Sequence, residues 1–206
     1  MPSPIQTQIL KTVLLNAPNE EVKKVSSSTR LLPLPTPDGT IEKFRIVEYQ
    51  LMEEALAEKY PHIKTYYGIS TIDPSKTLRL DITERGLRAE VKNSINNYVV
   101  EPLEDMVSGY EVFYQTTNSD LLESVRCEMD HDGVVTNTNV NRFSRSAGSC
   151  DFKTFRLAVA TTGEYSNYFG ATSSAQSGIV LSEVVTAMNR VNGIFEGELG
   201  IRMLLV

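Results

Sequence analysis

The sequence predicts an α+β chain: a mainly antiparallel β domain over residues 41–140, then the first β-α-β unit of an incomplete α/β domain over residues 151–206. Three observations carry this reading. TLRLDITERGLRAEVK, residues 77–92, alternates Leu78, Leu80 and Ile82 before Glu84-Arg85-Gly86 and Leu87, Ala89 and Val91 after it, the pattern of a β-hairpin. From residue 155 the pattern changes: Phe155, Leu157 and Val159 alternate, and Val180, Val184, Met188, Val191 and Phe195 recur on one helical face. After Gly197 and Gly200, IRMLLV reads as a buried strand. Strand, helix, strand at this length implies a parallel pair joined by a crossover. Between the two regions, NRFSRSAGSC, residues 141–150, is polar and contains Gly and Ser, as a domain boundary does.

The remaining elements follow in order. Residues 1–40 read as a largely irregular leader: MPSPIQTQILKTVLL has one Lys and no apolar run of signal-peptide length, and the Ser- and Pro-containing stretch after it ends in a Pro37-Asp38-Gly39 turn. IEKFRIVE, with Ile41, Phe44 and Ile46, reads as a half-buried strand. LMEEALAEKY reads as a short helix stopped by Pro61. Further strands are expected at NYVVEPL, YEVFYQ, ESVRCEM and, after an Asp132-Gly133 turn, VVTNTNV. Ser173 with Gln176 has the spacing of a capping box that would open the long helix.

Composition excludes some functions. With 41% hydrophobic and 22% charged residues the chain is an ordinary globular mixture, and a formal charge of −6 with no basic stripe argues against a nucleic-acid partner. The apolar runs are far shorter than the ~20 residues a membrane helix needs, so no membrane partner is expected.

Candidate chemistry is sparse. The two histidines, His62 and His131, lie in different elements without a second His at helical spacing, and both read as surface or turn residues. DHDG around His131 lacks the third ligand and closing Glu of a calcium loop. No G-x-S-x-G, P-loop or G-x-G-x-x-G motif is present. Glu164, a lone acid in TTGEY, reads as a loop or helix-start residue rather than a catalytic carboxylate. Cys127 leaves three readings open: a small buried hydrophobe beside Val125 and Met129, a disulfide with Cys150, or a thiolate ligand for a metal supplied by another part of the chain.

CDFKTFRLAVATTGEYSNYFG and VVTAMNRVNGIFEGELGIRMLLV resemble the first strand, first helix and second strand of the catalytic domain of reprolysin-like zinc metallopeptidases, a metzincin group common among secreted bacterial proteins. LPTPDGTIEKFRIVEYQLMEEALAEKYPHIKTYYG and YVVEP resemble the propeptide of the same bacterial family, so the likeness runs from about residue 31 onward. The resemblance implies a zinc-dependent endopeptidase whose metal is held by HExxHxxGxxH, with the Glu as general base. That motif is absent here and would follow Val206, so the chain alone is expected to be inactive, with neither catalytic nor metal-binding residues of its own. It further implies secretion, a propeptide that assists folding and latency, the rest of the catalytic domain as partner, and protein or peptide substrates. Cys127 becomes the candidate latency thiolate, Arg142 and Arg145 candidate processing sites, and Arg156 stands where some animal relatives carry a calcium-binding acid. The alternative is a non-enzymatic β-rich binding or protease-inhibitory module. The two readings differ over IRMLLV, which a self-contained module would bury against residues 41–140 and a fragment would leave as an open apolar edge.

Overall fold

The computed structural model describes residues 7–93, 97–103, 109–115 and 152–206. Seven antiparallel strands form one curled sheet in sequence order: β1 (Leu31–Pro35), β2 (Ile41–Tyr49), β3 (Lys64–Ser70), β4 (Thr77–Thr83), β5 (Gly86–Lys92), β6 (Tyr98–Pro102) and β7 (Tyr110–Tyr114). The expected hairpin is present as β4 and β5, with Thr83 paired to Gly86 across the turn and Gly86 at φ 102°. The Pro-Asp-Gly turn joins β1 to β2, where Gly39 takes φ 80° and donates to the Thr36 carbonyl.

Period-two alternation places Leu32, Leu34, Phe44, Ile46, Tyr66, Leu78, Leu80, Leu87, Ala89, Val91, Tyr98 and Val100 in one cluster. Side chains from β1 through β6 meet there because the sheet curls, and Tyr114 Oη donates to Asp38 Oδ2 at 2.8 Å from the last strand to the first turn. Gly68 makes a tight spot within the sheet: a Cβ there would lie 3.1 Å from both the Arg45 carbonyl oxygen and Leu78 Cδ2.

The leader, expected above to be largely irregular, carries a helix, a 3-10 turn at Val25–Ser27 and a strand among its described residues. Helix α1 (Thr7–Leu15) buries Leu10 and Leu14 in the sheet's core. LLPLP forms β1, and its two prolines are tolerated because β1 is the outermost strand and one side of it needs no donors. The sheet therefore begins at residue 31 rather than 41. Strand β3 also goes beyond the elements expected. The short helix is α2 (Glu54–Lys59), which ends before Pro61 as predicted.

After residue 152 the predicted strand–helix–strand unit is present. Strand β8 (Lys153–Leu157) pairs in parallel with β9 (Ile201–Leu205), and between them run α3 (Gly163–Tyr168) and the long α4 (Ser177–Leu199). Val159, expected in the first strand, lies past its end. The capping pair opens a 3-10 turn at Ser174–Gln176 instead of α4: Gln176 Oε1 accepts from Ser173 Oγ, Thr172 Oγ1 and Thr172 N. Helix α4 ends at Gly200, which takes the left-handed φ of 66° as a C-terminal glycine should. The expected strands at 123–129 and 134–140 and the boundary at 141–150 lie outside the described residues.

Candidate functional site

The chemically dense part of the described chain is the seam where α4 and β9 meet the outer face of the sheet. Along β4 the residues between the core leucines are Arg79, Asp81 and Thr83, which point away from the apolar cluster and are nevertheless buried. They are covered by a polar stripe on α4, Ser182, Thr186, Asn189, Gly193 and Glu196, spaced four, three, four and three residues apart, so that all share one helical face. Thr186 Oγ1 donates to Asp81 Oδ2 at 2.8 Å, and Asn189 Nδ2 donates to the Leu80 carbonyl at 3.1 Å. Arg88 Nη1 donates to Glu183 Oε2 at 2.8 Å, and Arg85 Nε lies 2.6 Å from Glu183 Oε1 as an ion pair. Arg190 reaches Glu101 at 2.6 Å on the rim.

At one end of the seam, aromatic rings and guanidinium groups stack in a continuous ladder. Arg79 lies between the Tyr67 ring at 4.7 Å and the Tyr49 ring at 4.4 Å; Arg202 lies 4.4 Å from Tyr49 and 5.4 Å from Phe152. A desolvated cation over a ring is attracted by its quadrupole, so the rings help to hold both arginines in place. Glu196 ties the ladder together, accepting from Tyr49 Oη at 2.7 Å, Arg79 Nη2 at 2.5 Å and Arg202 Nε at 2.6 Å. Glu20 holds Arg202 with both oxygens, at 2.7 and 3.0 Å, and accepts from the Gln50 amide. Asn192 donates to Tyr49 Oη and pairs both ways with the Met203 backbone. Gly193 permits the close approach, since a Cβ there would come within 3.2 Å of Arg79 Cγ.

Burial and charge set the titration of these groups. Burial pushes the Asp81 carboxyl up to about 6, against the Thr186 and Asn189 hydrogen bonds and the nearby Arg190 and Arg88. Burial acts the same way on Glu196, but Arg79, the Tyr49 hydroxyl and Arg202 outweigh it and hold the carboxyl below its ordinary value. Burial raises Tyr49 far above the usual phenol range, so its hydroxyl stays a donor to Glu196. Each carboxylate here is engaged by a cation or hydroxyl, so the arrangement supplies recognition: a keyed fit of charge, ring and hydrogen bond.

Beside the seam, the main chain of residues 51–53 runs along β9. Glu53 N donates to the Leu205 carbonyl at 2.8 Å and Leu205 N to the Leu51 carbonyl at 2.9 Å, which buries the Leu205 side chain. The far strand is different. Strand β8 is exposed almost throughout, with Phe155 at 52% of full exposure, and Phe152 just before it is at 51%. A groove of about 520 Å³ opens at the carboxyl ends of β8 and β9, between Tyr60 of the sheet unit and Ser177, Val180 and Val184 of α4.

Of the sequence candidates, His62 sits on an exposed turn, 2.9 Å from Glu84. Glu164 lies exposed in the first turn of α3, where its own amide and the Thr162 hydroxyl hold its carboxyl below the ordinary value; Thr162 caps the helix by accepting from Tyr165 N. Arg156 pairs with Glu53. Cys127, Cys150, His131, Arg142 and Arg145 lie outside the described residues. Among the described residues no three His, Cys, Asp or Glu side chains converge to hold a metal. Apolar periodicity on α4 does not reveal the seam; its signal in the sequence is polar, since Ser182, Thr186, Asn189 and Glu196 repeat at the same helical period and Arg79 and Asp81 alternate with the hairpin leucines. No family model matches the sequence, and neither the curated proteins nor the solved structures contain a match.

Proposed function

We propose that the chain is the N-terminal part of a secreted, reprolysin-like zinc endopeptidase, with the curled sheet as a propeptide that assists folding and latency and residues 152–206 as the start of the catalytic domain. The observation that supports this most is the open state of β8. A two-stranded parallel sheet is an incomplete layer, because parallel strands are normally covered on both faces and paired on both sides. Among the described residues β8 has a partner on one side, and Phe155 stands half-exposed on a strand that an α/β sheet would bury. Further strands beside β8 would complete it. In this reading the zinc ligands of HExxHxxGxxH follow Val206, Arg142 and Arg145 are where processing would separate the two parts, and Cys127 is the candidate latency thiolate.

One observation favours the second reading, a non-enzymatic binding or inhibitory module: the end of β9 is already buried, with Leu205 bonded to Leu51 and Glu53. One experiment separates the two. The reading frame is sequenced past Val206 and its product expressed beside the 206-residue chain. The peptidase reading expects HExxHxxGxxH within ~150 further residues, about one domain length, chelator-sensitive cleavage of casein by the longer product, and none by the shorter. A longer product without the motif, or zinc-dependent cleavage by the 206-residue chain, overturns it.

A further inference from the structure

The cluster that holds the curled sheet together draws its side chains from residues 10–112 and takes none from residues 152–206. The sheet thus carries a complete core of its own. Its contact with the strand–helix–strand unit has another composition. A second, smaller apolar cluster brings Tyr49, Leu51, Met52 and Ile63 against Val184, Val185 and Leu205. Around it stand ion pairs that each take one residue from either side: Arg79–Glu196, Arg88–Glu183, Arg190–Glu101, Arg202–Glu20 and Arg156–Glu53. An apolar centre ringed by charged and hydrogen-bonded groups is the anatomy of an interface between separate proteins, whereas the interior of one fold is mostly apolar.

Both surfaces also suit life apart. Removing α4 from the sheet would expose Arg79, Asp81, Arg88 and Glu101, and removing the sheet from α4 would expose Ser182, Glu183, Thr186, Asn189 and Glu196; both sets are readily hydrated. The backbone pairing of residues 51–53 to β9 is strand addition at a sheet edge, a recurrent way for one chain to bind another.

We infer that residues 7–115 and residues 152–206 are two binding partners that stay associated without the chain between them, with the Arg79–Tyr49–Arg202 ladder and Glu196 as the specificity element. A cut between residues 115 and 152 would then leave a stoichiometric complex, and release of the sheet would need a second event that opens the seam. This inference does not rest on the peptidase reading, and its test measures association and not proteolysis.

A site for a sequence-specific protease is placed between residues 116 and 151 of the full chain, the folded protein is cut, and the pieces are followed by size exclusion at about 150 mM salt and by their dissociation rate on a surface. The expected result is one co-eluting complex whose dissociation is roughly 30-fold or more faster with Glu196→Gln, since a buried ladder then loses its central charge. Because that variant could fail to fold, the rim pair supplies a second reading: Arg190→Glu speeds dissociation several-fold and adding Glu101→Arg restores it. Pieces that separate or precipitate on cutting overturn the inference. So does a complex whose dissociation ignores both Glu196→Gln and the Arg190–Glu101 exchange.

Discussion

Leu78 and Arg79 are neighbours on one strand, both buried, and buried for opposite reasons. Leu78 and Leu80 enter a core in which contact with any apolar neighbour of suitable shape is favourable. Arg79 and Asp81 point the other way and are tolerable there only because Glu196, Thr186 and two tyrosine rings stand opposite them. The comparison teaches that the two faces of β4 do different work. The apolar face supplies stability that needs no partner beyond the sheet, whereas the polar face adds little net stability and admits one partner in one register.

The inner face should show the largest effect. Phe44→Ala, at a fully buried position, is expected to cost about 3–5 kcal/mol and to lower the urea midpoint of the whole chain. A smaller loss than that of the seam variants would reverse the ranking of the two faces. At the seam, Glu196→Ala should cost about 3 kcal/mol, because it strands Arg79 and the Tyr49 hydroxyl in a buried setting. Replacing Arg79 and Glu196 together by Met should cost less than Glu196→Ala alone; a double variant worse than the single would show that the pair contributes stability outright, and the contrast between the faces would fail.

Asp81 sharpens the same contrast through pH. Its folded carboxyl titrates at about 6, above the ordinary ~3.9 of an unfolded chain, so the native state holds a proton in that window and stability rises as pH falls from ~6 towards ~4. Above ~6 the cost of the buried charge is fully present. Asp81→Asn is therefore expected to raise stability at pH 7 by about 1–2 kcal/mol and to flatten the difference between urea unfolding at pH 5 and pH 7. No gain at pH 7 would mean that Thr186, Asn189, Arg88 and Arg190 already compensate the charge. The smallest effect belongs to Arg156→Ala. Its side chain is 71% exposed, its pair with Glu53 is solvated, and thermal unfolding should not change measurably.

The alternation of Leu78, Leu80 and Ile82, the Pro-Asp-Gly turn, the stop at Pro61 and the strand–helix–strand order after residue 152 were legible because each depends on a local period or a single backbone constraint. LLPLP was not legible as a strand: two prolines rule out a central position, and only the sheet's order places β1 at the edge where they fit. The polar stripe on α4 marks the same limit at the site. Thr186, Asn189 and Glu196 have the period of a buried face but the chemistry of an exposed one, and the partners they meet on the sheet lie about a hundred residues or more away in sequence. The sequence by itself determined which residues alternate, turn and coil, and so the apolar core of the sheet. Only the tertiary structure decided that a charged face would be buried, because apolar burial is favourable almost anywhere, whereas polar burial is favourable only opposite its own partner.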